Sequence, residues 1–91
     1  MALVNVAIYT TLRDKLGFSS KNIDAKNLQE IIDKLCSLRK DIPNILLDEN
    51  GKVKNHFILT LNSNIVDKSN LKKVKLKDGD ILHIFPPVSG G

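Results

Sequence analysis

The chain has 91 residues, with 14 Lys/Arg against 10 Asp/Glu and a formal net charge of +4. That length makes one small domain, and 42% apolar with 26% charged residues is what a globular domain with a single core carries. No stretch approaches the roughly 18 apolar residues of a membrane span and no basic, apolar leader opens the chain, so a cytoplasmic protein without membrane contact is expected.

The basic excess is spread evenly, since residues 1–45 and 46–91 each carry seven Lys/Arg and five Asp/Glu. With one Tyr, three Phe and no Trp, platforms for stacking bases are scarce, and nucleic-acid binding is not expected. The single cysteine, Cys36, excludes an intrachain disulfide and a cysteine-rich metal site.

Leu3 to Tyr9 alternates, with Val4, Val6 and Ile8 on one face and Asn5, Ala7 and Tyr9 on the other, the pattern of a half-buried strand. Thr10 to Gly17 reads as a short helical turn closed by glycine, and Phe18 to Ala25 as a weak returning strand. Asn27 and Glu30 form a variant capping box. Leu28, Ile31, Ile32, Leu35 and Cys36 then repeat at helical spacing, making this the strongest predicted helix and placing Cys36 on its apolar face as a small hydrophobe. Arg39 and Lys40 are expected in its last turn, before Pro43 forbids continuation.

Ile45 to Leu47 and Val53 flank Asp48-Glu49-Asn50-Gly51, which predicts a loose hairpin. His56 to Leu61 alternates again, with Phe57, Leu59 and Leu61 inward and His56, Ile58 and Thr60 outward. Asn62-Ser63-Asn64 is a turn into the short strand Ile65-Val66. Lys72, Lys73, Lys75 and Lys77 interleave with Val74 and Leu76 as on the wet face of an edge strand. Lys77-Asp78-Gly79-Asp80 turns the chain into the strand Ile81 to Phe85.

Composition establishes an α+β class. The length and the order of elements, with first and last strands side by side at the centre, predict a β-grasp: a mixed sheet covered by one main helix. We assign residues 1–85 to that domain and 86–91 to an extended C-terminal tail.

The tail is the most informative segment. Pro86 and Pro87 each fix φ and remove a ladder donor, so the sheet ends there and the chain projects. From Pro87 to Gly91 an extended chain reaches roughly 15 Å, and Gly90 and Gly91, lacking Cβ atoms, can enter a narrow channel. The terminal carboxylate of Gly91 is then the candidate reactive group. A carboxylate does not react with nucleophiles unaided, so a partner must activate it with ATP. A Gly-Gly end is also what a purification scar leaves, but here it follows Pro-Pro-Val on a strand.

Asp78-Gly79-Asp80-Ile81-Leu82-His83-Ile84-Phe85-Pro86-Pro87-Val88-Ser89-Gly90-Gly91 resembles the end of the molybdopterin synthase small subunit, the MoaD family of ubiquitin-like sulfur carriers related to ThiS. The shared pattern is a Gly-Asp turn, an apolar strand, then Phe-Pro-Pro-Val-small-Gly-Gly. Looser similarity covers Leu12-Arg13 after the first strand, the capped helix, and Leu61-Asn62. Thiamine sulfur carriers are typically shorter and lack the insert after the helix.

The resemblance implies that an E1-like, MoeB-like enzyme adenylates Gly91 with ATP. A sulfur donor then converts it to a thiocarboxylate. Pro86, Pro87, Val88, Ser89 and Gly90 would insert into a MoaE-like large subunit, which builds the dithiolene of molybdopterin from a cyclic pyranopterin monophosphate. The chain would supply sulfur, no catalytic side chain and no tightly bound cofactor, as a monomer alone and a heterotetramer with the large subunit.

If Leu82 and Ile84 face the helix, His83 and Phe85 emerge on the other side near Ala7, Tyr9, Ile58 and Thr60. That face is a candidate docking patch beside the tail, and Arg13 matches the family's Leu-Arg and could touch a partner. His56 and His83 share outward parity, but two histidines without further ligands make no metal site. Ser89 has no triad around it and is expected only to be narrow. A protein modifier, a carrier for thiamine or tungsten-cofactor synthesis, and a plain binding module remain alternatives.

Overall fold

In the computed structural model, which describes residues 1–86 without the side chains of Thr10 and Thr11, the alternation at the start of the chain becomes β1 (Ala2–Ile8). Val4, Val6 and Ile8 are buried, while Leu3, Asn5 and Ala7 face the other way. β1 pairs antiparallel with β2 (Ser20–Ala25), of which only Ile23 and Ala25 are buried. Between them lies α1 (Thr10–Leu16), which sinks Leu12 and Leu16 into the core. Gly17 ends α1 at φ 84°, the left-handed conformation that glycine tolerates, and its N–H returns to the Arg13 carbonyl.

The main helix is α2 (Leu28–Cys36). Asn27 caps it, its side chain accepting from the Glu30 N–H at 3.0 Å. Glu30 reaches back one residue further than a capping box requires, to the Lys26 N–H at 2.8 Å. Leu28, Ile31, Ile32 and Leu35 are fully buried, each worth roughly 1.5–3 kcal/mol in apolar burial. Cys36 packs half-buried at the core margin, where burial first and then Asp33 push its thiol pKa up.

The helix stops earlier than its basic residues suggested. Ser37 closes it, with its N–H reaching the Asp33 and Lys34 carbonyls, so Arg39 and Lys40 lie beyond the last turn. Arg39 instead donates to the carbonyls of Lys15 and Leu16, capping the C-terminus of α1, and pairs with Asp41 at 2.7 Å.

Two further expectations are corrected. Ile45 and Leu46 belong to a second short helix, α3 (Ile42–Leu46), begun by Pro43 in its first turn, where a missing N–H costs nothing. Only Leu47 is extended there, bridging Val53 across the predicted turn. The lysine-rich stretch is no edge strand. A 3-10 helix (Lys68–Lys73) buries Leu71, and an irregular segment follows in which Lys75 makes one bridge to Asn27. Lys68 turns inward, its ammonium donating to the carbonyls of Lys54, Asn55 and Phe57; burial lowers its pKa, and the contact ties down the approach to the next strand.

That strand is β3 (Ile58–Leu61), followed by β4 (Asn64–Ile65) and β5 (Ile81–Phe85). Asn62 and Ser63, at φ 51° and 74°, make the two-residue turn between β3 and β4. The Asn62 side chain then binds across to the start of β5, donating to Asp80 at 2.8 Å and accepting from the Ile81 N–H at 2.9 Å. Among the described residues the sheet has five strands in the order β2-β1-β5-β3-β4, with β1 and β5 parallel and the other pairs antiparallel. α2 covers one face. This is the β-grasp, a mixed sheet under one main helix, with its first and last strands adjacent at the centre.

Candidate functional site

The face of the sheet away from α2 is built by parity. Leu82 and Ile84 of β5 are fully buried, so His83 and Phe85 project to the opposite side. The register places His83 between Ala7 of β1 and Thr60 of β3, and Phe85 beside Ile58. Tyr9, one residue past β1 with an extended backbone (φ −121°, ψ 153°), keeps the strand's outward parity.

Three rings then line up in nearly parallel planes. Tyr9 and Phe85 lie 4.8 Å apart between centroids at 11°, Tyr9 and His83 5.4 Å apart at 19°, and His83 and Phe85 5.8 Å apart at 9°. The Tyr9 hydroxyl meets His83 Nδ1 at 2.5 Å. Such aromatic pairs add to simple area burial and hold one another's rotamers. Phe85 is the last residue of β5, so the ring cluster sits where Pro86 carries the chain off the sheet.

The sequence-predicted interface residues Tyr9, Ile58, His83 and Phe85 are thus brought together. Arg13 is not. It is an exposed residue of α1, whose Leu12 and Leu16 belong to the helix-covered core, so it occupies the same end of the sheet but the other side. His56 is also separate. It is exposed ahead of β3, edge-on to Phe57, and lines a cavity of about 380 Å³ with Leu12, Lys15, Lys54 and Pro86. Among the described residues no three His, Cys, Asp or Glu side chains gather as metal ligands. The expectations on Pro87, Val88, Ser89, Gly90 and Gly91 lie outside the described residues.

Parity also reveals residues that sequence reasoning passed over. Leu3 (49% exposed) and Ile81 (41%) share the open face with Ile58 (43%), and Ile65 (79%) stands opposite Thr60 at its margin. The apolar surface therefore continues away from the tail. The alternation of β1 and β5 was the available signal, but it was followed only next to the prolines. A larger groove of about 820 Å³ lies at the far end of the sheet, between the 61–64 turn and the 3-10 helix, remote from Pro86.

The comparisons with known proteins agree with this architecture. The model of the ThiS family matches residues 6–91. No curated protein matches the chain by sequence. Among solved structures, SAMP1 from Haloferax volcanii superposes with a TM-score of 0.85 at 19% identity, covering 99% of this chain and 100% of that one, which is a likeness of fold. A chain of the BexX/CysO complex of Amycolatopsis orientalis is 34% identical with a TM-score of 0.78, covering 97% of this chain and 99% of that one. A chain of the complex of subunits 1 and 2 of molybdopterin-converting factor from Helicobacter pylori is 25% identical with a TM-score of 0.65, covering 98% and 99%.

A β-grasp with this sheet order defines a ubiquitin-like class of protein. Within that class the chain belongs to the ThiS family, the small sulfur carriers.

Proposed function

We propose that this chain is the sulfur-carrying small subunit of a molybdopterin synthase. Residues 1–85 form the domain a partner grips, and residues 86–91 are the tail it works on. The observation that carries the reading is the join between β5 and the tail. A central strand buried on one face runs straight into Phe85-Pro86, beside an open face of Tyr9, His83, Phe85 and Ile58. The partner that grips the rigid face thereby knows where the tail begins, and an interface held by aromatic anchors suits such a grip.

The chemistry follows from the carboxylate. The Gly91 oxygen attacks the α-phosphate of ATP on an E1-like, MoeB-like enzyme, forming an acyl-adenylate and releasing pyrophosphate. A sulfur nucleophile from a donor displaces AMP, leaving a thiocarboxylate. On a MoaE-like large subunit that sulfur then bonds to a carbon of a cyclic pyranopterin monophosphate, and water cleaves the acyl–sulfur bond, leaving the sulfur on the pterin and returning the chain as the carboxylate. The chain contributes position and cargo. No cofactor stays on it.

A second reading rests on one observation. The 34% identity to a chain of the BexX/CysO complex exceeds the 25% to a chain of the molybdopterin-converting factor complex, which favours a carrier serving another acceptor. The experiment that separates the readings is intact-mass measurement after incubation with an E1-like enzyme, ATP and a sulfur source, followed by addition of a large subunit and the pyranopterin. Exchange of one oxygen for sulfur, then its loss with formation of molybdopterin, is the expected outcome. Exchange without pterin formation points to another acceptor, conjugates of higher mass point to a protein modifier, and no exchange overturns the carrier.

A further inference from the structure

The open face has one ionisable group in its centre, and the structure shows what holds it. His83 is flanked by Ala7 and Tyr9 from β1, by Thr60 and Ile58 from β3, and by Ile81 and Phe85 on its own strand. Among these neighbours no side chain is charged, and Tyr9 is the only other titratable group. Ser20 of β2, opposite Ala7, continues the same uncharged row. Lys21 pairs with Val6 on the other parity and stands over Phe18, and Arg13 lies on the helix side of the sheet.

A neutral imidazole has one donor and one acceptor nitrogen, and a neighbour that donates to one nitrogen places the proton on the other. The Tyr9 hydroxyl meets His83 Nδ1 at 2.5 Å. With Tyr9 donating, Nδ1 accepts and Nε2 bears the hydrogen. When the ring is protonated, Nδ1 donates to the phenol oxygen and Nε2 still donates. In both states His83 therefore presents an N–H in the middle of an apolar docking face, and burying that donor without an acceptor is costly.

We propose that His83 is a specificity-determining residue of this face, set by Tyr9 as an Nε2–H donor, and that the partner covering the face presents a carboxylate to it. A carboxylate fits better than a carbonyl because a charged acceptor makes the stronger hydrogen bond with the ring N–H, and no described neighbour of the ring supplies one. Tyr9 acts as a positioning residue. The inference rests on the sheet face being the docking surface of the proposed carrier.

The first test uses the isolated protein. Nitrogen-15 NMR of the neutral His83 ring should show the Nε2–H tautomer, and Tyr9→Phe should return the ring to a mixture. An Nδ1–H tautomer, or a Tyr9→Phe variant with an unchanged ring, overturns the positioning.

The second test is calorimetric affinity for the adenylating enzyme that loads Gly91. His83→Phe, which keeps a ring and loses the donor, should weaken binding about tenfold, as expected for a lost hydrogen bond to a charged group. His83→Gln should restore part of the affinity. Equal binding by His83→Phe overturns the partner carboxylate. Phe85→Ala separates the two levels: if it alone weakens binding, only this inference falls, and if neither variant does, the sheet face is not the docking surface.

Discussion

The two faces of β5 are made of alternate residues of one five-residue strand, yet they answer to different demands. Leu82 and Ile84 have no exposed surface and lie under α2 with Val4, Val6, Ile8 and Leu59. Ile81, His83 and Phe85 remain partly open, in a row that no element of the described chain covers. The lesson is one of division of labour. The covered face decides that this chain folds as a β-grasp, and the open face is left free of that demand.

The sharpest way to break that division is at the tail itself. Deleting Gly91, or adding one residue after it, should abolish sulfur loading in the mass assay while the thermal unfolding midpoint stays unchanged, because terminal segments contribute little to a core. Sulfur loading by either variant would remove Gly91 from its role.

The covered face should respond in the opposite sense. Ile84→Ala removes a fully buried side chain between β1 and β3 and should cost about 2–5 kcal/mol in denaturant unfolding. A folded remainder of this variant should still be loaded at Gly91. Next in size, Phe85→Ala should lower partner affinity by about tenfold or more, as loss of an aromatic anchor does, with a smaller effect on stability than Ile84→Ala. Unchanged affinity would mean that the open face is not the gripped one.

The smallest effect lies at the far end of β5. The Asn62 side chain and then the Lys77 N–H hold the Asp80 pKa below its ordinary value. A depressed folded-state pKa means that the stabilisation is complete above the ordinary carboxylate range and is lost as pH falls through the folded-state value. Asp80→Asn should therefore flatten the acid limb of stability against pH in denaturation at stepped pH. An acid limb as steep as that of the wild-type chain would show that other carboxylates carry it.

Much of the fold was legible because its signals are local. The period of Leu28, Ile31, Ile32 and Leu35 is that of a helix whatever it packs on, and the alternations of β1, β3 and β5 state which residues face the core. Ile45 to Leu47 was misread because a short apolar run has no resolvable period, and Pro43 fits a helix start as well as a helix stop. The lysine segment was misread because alternation with Val74 and Leu76 mimics a strand. Its backbone is instead shaped by Leu71 reaching the core and by Lys68 turning inward to three carbonyls.

The site divides in the same way. The sequence by itself determined the α2 helix and the inward and outward parity of the central strands, because each depends on neighbours within a few residues. Tertiary structure alone decided that Tyr9 meets His83 across 74 positions and that Asn62 meets Asp80 across 18. It also placed Arg13 and His56 apart from the aromatic cluster. Strand order and register set which side chains share a row, and no local pattern carries that information.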